Sequence, residues 1–199
     1  MVFRTFSFNN RGVYPVSGQF SNHPDTPHLS DTLRLEFILN QDDFTLSIYS
    51  KIFPKVPLPL FEKAKEIYES ELEPSDSRLG GLYNNMALAL VDLERYKEAS
   101  ELYDKAVSVM SSIEYGMLEV AITYLNMASA KEAEIGLLDA EETISHYLKK
   151  AEQILENFDK RDGYYAFVCE KCASVFGYYG YFNYEKQLIE RAKRIYEGA

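Results

Sequence analysis

The 199-residue sequence predicts an all-α protein built as a solenoid of helix pairs, and two alternating motifs carry that prediction. One ten-residue motif occurs four times, as LFEKAKEIYE at 60–69, LYDKAVSVMS at 102–111, YLKKAEQILE at 147–156 and LIERAKRIYE at 188–197. A second motif alternates with it, as LYNNMALAL at 82–90, TYLNMASAK at 123–131 and VCEKCASVF at 168–176. Both motifs recur every 41 to 45 residues, so each repeating unit contains two different helices.

Residues 82–110 show most clearly why one unit should be a helical hairpin. The first half places apolar residues on one helical stripe, at Tyr83, Met86, Ala87 and Leu90. The second half does the same at Ala99, Leu102, Tyr103, Ala106 and Met110. Only a short polar break at 92–95 lies between the two stripes, which predicts an antiparallel pair.

Before the repeats, residues 1–40 are predicted to form an amino-terminal arm. Its first two aromatic-rich runs flank Asn9-Asn10-Arg11-Gly12, which suits a hairpin turn, so a small β-hairpin and an irregular arm both remain open. A helix is expected at 41–53, after an asparagine cap and acidic first-turn residues. Prolines 54, 57 and 59 separate it from a second helix at 58–72.

The remaining helices are expected in three repeats, at about 79–112, 115–158 and 162–197, so that the helical domain covers 41–199. In the middle repeat, Asp139 and Glu142 have the spacing of a capping box and predict the start of its second helix there.

The alanines among the large apolar residues, such as Ala87, Ala99 and Ala106, resemble the small positions of the tetratricopeptide repeat. The period exceeds that repeat's roughly 34 residues, and the Asn-Met-Ala core of the first helix resembles the long repeats of kinesin light chain. This resemblance covers about 57–199 and implies a right-handed α-solenoid whose first helices line a concave groove. Glu185 departs from it, because it stands where Ala99 supplies a small residue, and an altered closure of that hairpin is expected.

The resemblance also implies where a ligand would bind. The residue before the Met-Ala or Cys-Ala pair should point into the groove, at Asn85, Asn126 and Lys171. An amide there can both donate to and accept from the backbone of an extended peptide. The neighbouring groove positions are Leu88, Ser129 and Ser174, followed one turn later by Asp92, Ala133 and Tyr178. With Lys171 as the only base, the carboxylate clamp of the superfamily's chaperone-tail receptors is not expected.

Two conspicuous sequence features have competing interpretations. Cys169 and Cys172 form a C-x-x-C pair, which can be a redox pair or half of a zinc site. They occupy the core-facing positions of Tyr83 and Met86, however, so packing is expected and a metal site is not. The tyrosine-rich run at 178–184 lies at the last turn, where it could offer a stacking surface or seal the turn.

Composition limits the classes of partner. A formal net charge of −10 argues against nucleic acid and against an anionic membrane surface. No signal peptide and no apolar run of membrane-spanning length is evident, so a cytoplasmic protein is expected. The sequence shows no Gly-rich phosphate loop, no H-E-x-x-H motif and no nucleophile beside a histidine, so neither an enzyme nor a cofactor is expected.

The expected function is a protein-interaction scaffold that binds a peptide or protein segment in the groove. One alternative is homo-oligomerisation, as a homodimer through the carboxy-terminal helix, because no polar capping helix follows its apolar residues. Another is a regulatory sensor of a small signalling peptide, although no DNA-binding helix-turn-helix is apparent.

Overall fold

The computed structural model describes the backbone of residues 5–9 and 12–16, and both backbone and side chains of residues 58–198. Strands β1 (Thr5–Asn9) and β2 (Gly12–Val16) pair in antiparallel register, from Thr5 opposite Val16 to Asn9 opposite Gly12. The helix predicted at 41–53 lies outside the described residues.

Residues 58–198 fold entirely as helices and short connections, which confirms the predicted all-α class for this part of the chain. Its seven helices are α1 (Leu58–Glu71), α2 (Ser77–Asp92), α3 (Tyr96–Met110), α4 (Gly116–Ile135), α5 (Leu137–Asn157), α6 (Gly163–Tyr178) and α7 (Phe182–Glu197). None of these helices combines the length and the apolar character that crossing a bilayer requires.

The helices pack mainly as three consecutive pairs, α2 with α3, α4 with α5 and α6 with α7. Only one to three residues connect the two helices of each pair. The first helices of successive pairs also contact each other, α2 with α4 and α4 with α6, and α3 contacts α4. This arrangement is repeat-like and compatible with an α-solenoid.

The small residues of the two motifs lie where helices meet. Their seven alanines are at most 2% exposed: Ala64, Ala87, Ala106, Ala128, Ala151, Ala173 and Ala192. A side chain of this size lets neighbouring backbones approach closely, while large residues such as Tyr103, Leu148 and Phe176 fill the adjacent core. Burying one such large side chain contributes about 1.5–3 kcal/mol.

The middle pair is longer than the other two, with 20 residues in α4 and 21 in α5. Helix α5 begins at Leu137, two residues before the predicted capping box, so the prediction of a start at Asp139 was wrong. The cap is Gly136, whose φ of 83° lies in the left-handed region that glycine tolerates, and no side chain caps the helix. The backbone therefore turns at the glycine and has re-entered a helix before Asp139.

The last pair accommodates Glu185 through a glycine on the facing helix. A Cβ atom at Gly177 would overlap the carboxylate of Glu185. In the first pair, Val91 and Ala99 occupy the equivalent positions. The larger side chain is therefore on the first helix in that pair and on the second helix in the last pair. The departure that the sequence showed at Glu185 is thus matched by a missing side chain at Gly177.

Candidate functional site

Three asparagines lie close together where α2 meets α4. Asn84 and Asn85 of α2 are buried, with 4% and 8% of their surfaces exposed. The Nδ2 atom of Asn126 on α4 donates a hydrogen bond of 3.1 Å to Oδ1 of Asn84. The Oδ1 atom of Asn85 is also buried but has no hydrogen-bond partner. An unsatisfied buried acceptor costs about 1–3 kcal/mol, so this atom is the most unusual polar feature of the site.

Asn84 is the residue that sequence reasoning missed. The motif aligns Asn85 with Asn126, but the hydrogen bond joins Asn126 to the residue one position earlier. Aligning the motifs shows which residues have equivalent positions in their own helices. Which residues touch depends instead on how far one helix is shifted along the other. Two consecutive asparagines inside an otherwise apolar segment were the available signal, since a helix with one buried stripe should not bury both.

The other predicted positions around this cluster are more exposed. Lys171 of α6 is half-buried, with Nζ 5.0 Å from the centre of the Phe167 ring on its own helix. Ser129 and Ser174 are exposed, and each hydroxyl donates to a carbonyl of its own helix at 3.3 Å. Leu88 is half-buried. Together with Asn126, these residues occupy equivalent turns of α2, α4 and α6.

One turn later, Asp92, Ala133 and Tyr178 are all exposed near the ends of the first helices. The structure links α4 to the last turn through Glu132, whose carboxylate accepts from the hydroxyls of Tyr178 and Tyr179 at 2.8 and 2.7 Å. The hydrogen bond to Glu132 raises the pKa of Tyr178, because it stabilises the protonated hydroxyl. Tyr178 nevertheless keeps 69% of its surface exposed.

The tyrosine-rich run therefore serves two roles along its length. Tyr184 is buried and packs edge-on against Phe176, with ring centres 4.7 Å apart. Tyr181 contacts the same ring at 6.0 Å. Tyr178 and Phe182, by contrast, are each more than two-thirds exposed. Tyr181 and Tyr184 therefore seal the turn against Phe176, while the rings of Tyr178 and Phe182 face solvent.

Two open clefts lie away from the predicted groove residues. The α1–α3 cleft, of about 330 Å³, is bordered by residues of α1, α2 and α3. The α3–α5 cleft, of about 410 Å³, is bordered by residues of α3, α4 and α5. Each contains a tyrosine beneath a lysine, with Lys105 5.5 Å from the Tyr83 ring centre and Lys150 4.9 Å from that of Tyr124. The two pairs occupy equivalent repeat positions.

In the last pair the equivalent positions belong to Cys169 and Arg191. Instead of lying over an aromatic ring at the first of these positions, the guanidinium of Arg191 forms hydrogen bonds to other side chains. The Nη1 atom of Arg191 donates to the hydroxyl of Tyr165 at 2.7 Å, and Nη2 donates to Glu156 at 2.9 Å. Tyr165 is fully buried and donates to the carbonyl of Leu155 at 2.9 Å. The repeat therefore changes from a Tyr–Lys pair beside an open cleft to a hydrogen-bonded network.

Cys169 and Cys172 are free thiols that lie in the core, with 0% and 1% of their surfaces exposed. Burial raises the pKa of both thiols, since the apolar surroundings disfavour the thiolate. Among the described residues, no group of three or more His, Cys, Asp or Glu side chains could hold a metal ion. The observed location is the one that a packing role requires.

Comparison with known proteins assigns no family. No protein-family model matches the chain, and no curated protein matches it at a significant level. The resemblance to long tetratricopeptide repeats therefore depends on the repeat motifs alone.

Proposed function

We propose that residues 58–198 form a tetratricopeptide-like α-solenoid of antiparallel helix pairs, which binds an extended segment of a partner protein without catalysing a reaction. The binding face would consist of the first helices α2, α4 and α6, in a cytoplasmic protein. Support comes from the order of contacts, because α2 packs on α4 and α4 on α6, as adjacent repeats of a solenoid require.

The observation that carries this proposal is the unpartnered Oδ1 atom of Asn85. A peptide N–H group is a donor that could satisfy it, with a net gain of about 0.5–1.5 kcal/mol. Since Asn85 is only 8% exposed, its side chain would turn outward to meet the ligand. Asn126 would contribute in the same way by exchanging its bond to Asn84 for one to the peptide.

The exposed serines extend this face beyond the asparagines. The hydroxyls of Ser129 and Ser174 donate to carbonyls of their own helices, which leaves acceptor capacity for N–H groups of a ligand. Both are small, so a backbone can approach α4 and α6 closely. An extended segment would then be held mainly by main-chain hydrogen bonds.

Photo-crosslinking tests the location directly. A photoreactive phenylalanine analogue is placed at Ser129 or Ser174. In the controls it is placed at Ser100 of α3 or Ser145 of α5, which are also exposed serines but belong to the second helices. In native lysate, we expect the first two positions to crosslink one common partner segment that the two controls do not reach. Crosslinking of the same segment from the controls would contradict a face formed by α2, α4 and α6.

The identified segment, made as a synthetic peptide, then tests the asparagines. Replacing Asn85 and Asn126 together by alanine removes two hydrogen bonds, which corresponds to about a tenfold or greater loss of affinity. Unchanged affinity in fluorescence anisotropy would exclude the proposed role of these amides.

A second candidate, self-association through α7, is favoured by a difference between equivalent positions. Ile189 aligns with Phe61, Tyr103 and Leu148, which are all buried, yet Ile189 is 49% exposed. Tyr196 aligns with Met110 and Leu155, which are also buried, and is 54% exposed. A second copy could cover this face of α7 and form a homodimer. Light scattering of the wild type and of Ile189→Lys would test it, and a monomer at high concentration would exclude it.

A further inference from the structure

Large apolar side chains are exposed at the turn of every helix pair in residues 77–198. We define the turn edge by six residues at or beside the three turns. They are Leu93 in the connection of α2 and α3, Ile135, Leu137 and Leu138 at the ends of α4 and α5 that meet at Gly136, and Tyr178 and Phe182 at the ends of α6 and α7 that meet at the last turn. Their exposed fractions range from 41% for Ile135 to 87% for Leu138. Single exposed apolar residues are ordinary on protein surfaces, but apolar residues at three consecutive turns mark a surface for interaction.

The three turns are joined to one another by hydrogen bonds. The hydroxyl of Tyr96, which begins α3, donates to the carbonyl of Ala133 near the end of α4 at 3.2 Å. Glu132, on the same turn of α4, accepts from Tyr178 and Tyr179 beside the last turn. The turns are therefore neighbours with fixed relative positions.

Acidic residues surround the middle of this edge. The segment 131–142 carries five acidic side chains against one basic side chain. That base, Lys131, pairs with Glu134 at 2.7 Å, and at the first turn Arg95 pairs with Glu98 at 2.7 Å. These two cations are thus paired with acidic neighbours in the sequence, and acidic groups such as Asp139 and Glu94 remain beside exposed leucines.

We propose that the turn edge is a docking surface for a basic amphipathic helix of a partner protein. The apolar face of that helix covers the exposed leucines and aromatic rings, and its lysines or arginines meet the acidic side chains around Leu137 and Leu138. This surface differs from the site of Asn85 and Asn126, because it lies where the two helices of each pair meet at a turn, whereas those asparagines lie in the middle of α2 and α4.

The dimensions of the edge set the length of the partner segment. Packed helices lie about 8–10 Å apart, so three consecutive turns extend over about 20 Å. A helix of about 14 residues covers that distance at 1.5 Å per residue. A shorter segment would reach two turns and lose part of the apolar contact.

The test uses a labelled 14-residue model peptide with leucines on one helical face and lysines on the other. We expect it to bind the full chain in fluorescence anisotropy, and Leu137→Ser with Leu138→Ser to weaken binding at least tenfold. Glu94→Gln with Asp139→Asn should weaken it several-fold, and so should raising the salt from 50 to 500 mM, because the charge attraction is screened. The control, Met117→Ser, removes an exposed apolar side chain from the first turn of α4, at the opposite end of that helix from Ile135, and should leave affinity unchanged.

Three results would overturn the proposal. The first is equal binding of a peptide in which glutamates replace the lysines. The second is unchanged affinity of the Leu137 and Leu138 variant, provided that circular dichroism gives it the wild-type helix content. The third is a wild-type dimer that the same variant dissociates, which would make the edge an interface between two copies.

Discussion

Glu156 of α5 and Arg191 of α7 form an ion pair that also holds two tyrosines of the last helix pair. The Nη2 atom of Arg191 lies 2.9 Å from Oε1 of Glu156, and the hydroxyl of Tyr184 donates to the same oxygen at 2.8 Å. Nη1 donates to Tyr165 of α6 at 2.7 Å. With only 15% of the Arg191 side chain exposed, this network joins α5, α6 and α7 in a partly dehydrated environment.

The same position of the repeat carries a glutamate on α1. Glu69 aligns with Glu156 and accepts from the hydroxyl of Tyr83 on α2 at 2.9 Å. Directly after α3 the aligned residue is Ser111, whose hydroxyl donates to the carbonyl of Val107 in that helix. An acidic residue at this repeat position therefore joins α1 to α2 and α5 to α7. The equivalent position after α3 carries no acidic residue.

Acid should weaken the fold through these two glutamates. Burial alone raises the pKa of Glu156, but hydrogen bonds from Tyr184 and Arg191 outweigh it and hold the pKa below its usual value. Burial likewise raises the pKa of Glu69, and the bonds from Lys65 and Tyr83 lower it further than burial raises it. A lowered native-state pKa stabilises the fold above the unfolded value of about 4.3, and that stability is lost as pH falls through the native value.

Glu156→Gln should therefore lower the free energy of unfolding at pH 7 by about 1 kcal/mol, a figure discounted because the carboxylate is partly exposed. As pH falls through the lowered native pKa of Glu156, the wild type loses the same contribution, so its free energy of unfolding should approach that of the variant. Urea titrations between pH 3 and pH 7 measure this, with the exposed Glu190→Gln as a control that should follow the wild type. A constant difference at every pH would show that the carboxylate charge contributes nothing.

The features that sequence predicted best are those set within one helix. The alanines of the two motifs lie where the 3.6-residue period places them, facing the core, because a buried stripe is a local property of the helix. The start of α5 was misplaced by two residues, since Gly136 reverses the backbone without any side-chain cap. The capping-box pattern identifies side chains that cap a helix start, and the start of α5 has no such side chain.

The candidate site was harder to predict because it depends on how helices are offset. Asn126 and Asn85 have equivalent positions, yet the hydrogen bond selects Asn84. The exposed turn residues, such as Leu138, gave no periodic signal, since they lie at or beside the ends of several helices rather than along one helix face. Only the three-dimensional structure shows that the three turns are neighbours.

The close approach of Gly177 and Glu185 makes the effect of an alanine depend on its neighbour. In a helix, Gly→Ala normally gains about 0.5–1 kcal/mol. At Gly177 the new methyl group displaces the Glu185 carboxylate, so we expect a smaller gain or a loss in the wild type, and the full gain in a Glu185→Ala background. Thermal unfolding of the double-mutant cycle measures the coupling.

Gly81 of α2 is the matched control for this cycle, because a Cβ atom there would meet nothing within 4 Å. Gly81→Ala should stabilise the chain equally in both backgrounds. A Gly177→Ala effect that is independent of residue 185 would show that the carboxylate moves away at no cost.

Burial of Cys169 and Cys172 should protect both thiols in the native protein. Because their pKa values are raised, the reactive thiolate is scarce at neutral pH, and reagent must wait for an opening of the core. A colorimetric disulfide reagent should react slowly in buffer and with two thiols at once in guanidinium. Two fast thiols in the native state, or stoichiometric bound zinc after dialysis, would contradict the packing role.

Adjacent asparagines on α2 should respond in opposite ways to the same substitution. Asn84→Leu leaves Nδ2 of Asn126 without its acceptor, whereas Asn85→Leu removes an acceptor that already lacks a partner. Both substitutions replace asparagine by leucine in the same helix, so the changes in helix propensity and side-chain volume are the same. They therefore cancel when the unfolding free energies of the two variants are compared. We expect Asn85→Leu to leave stability unchanged or to raise it by about 1 kcal/mol, and Asn84→Leu to lower it by about 1 kcal/mol.

Urea unfolding at pH 7 measures the difference in stability between the two variants. The affinity of each variant for the crosslinked peptide is a second measurement. If Asn85 is kept polar for binding, Asn85→Leu should lose the crosslinked segment while unfolding at a higher urea concentration. Equal destabilisation by the two variants would instead mean that Oδ1 of Asn85 is satisfied in solution. Asn85 would then have a structural role, and the observation that favours a peptide on this face would be lost.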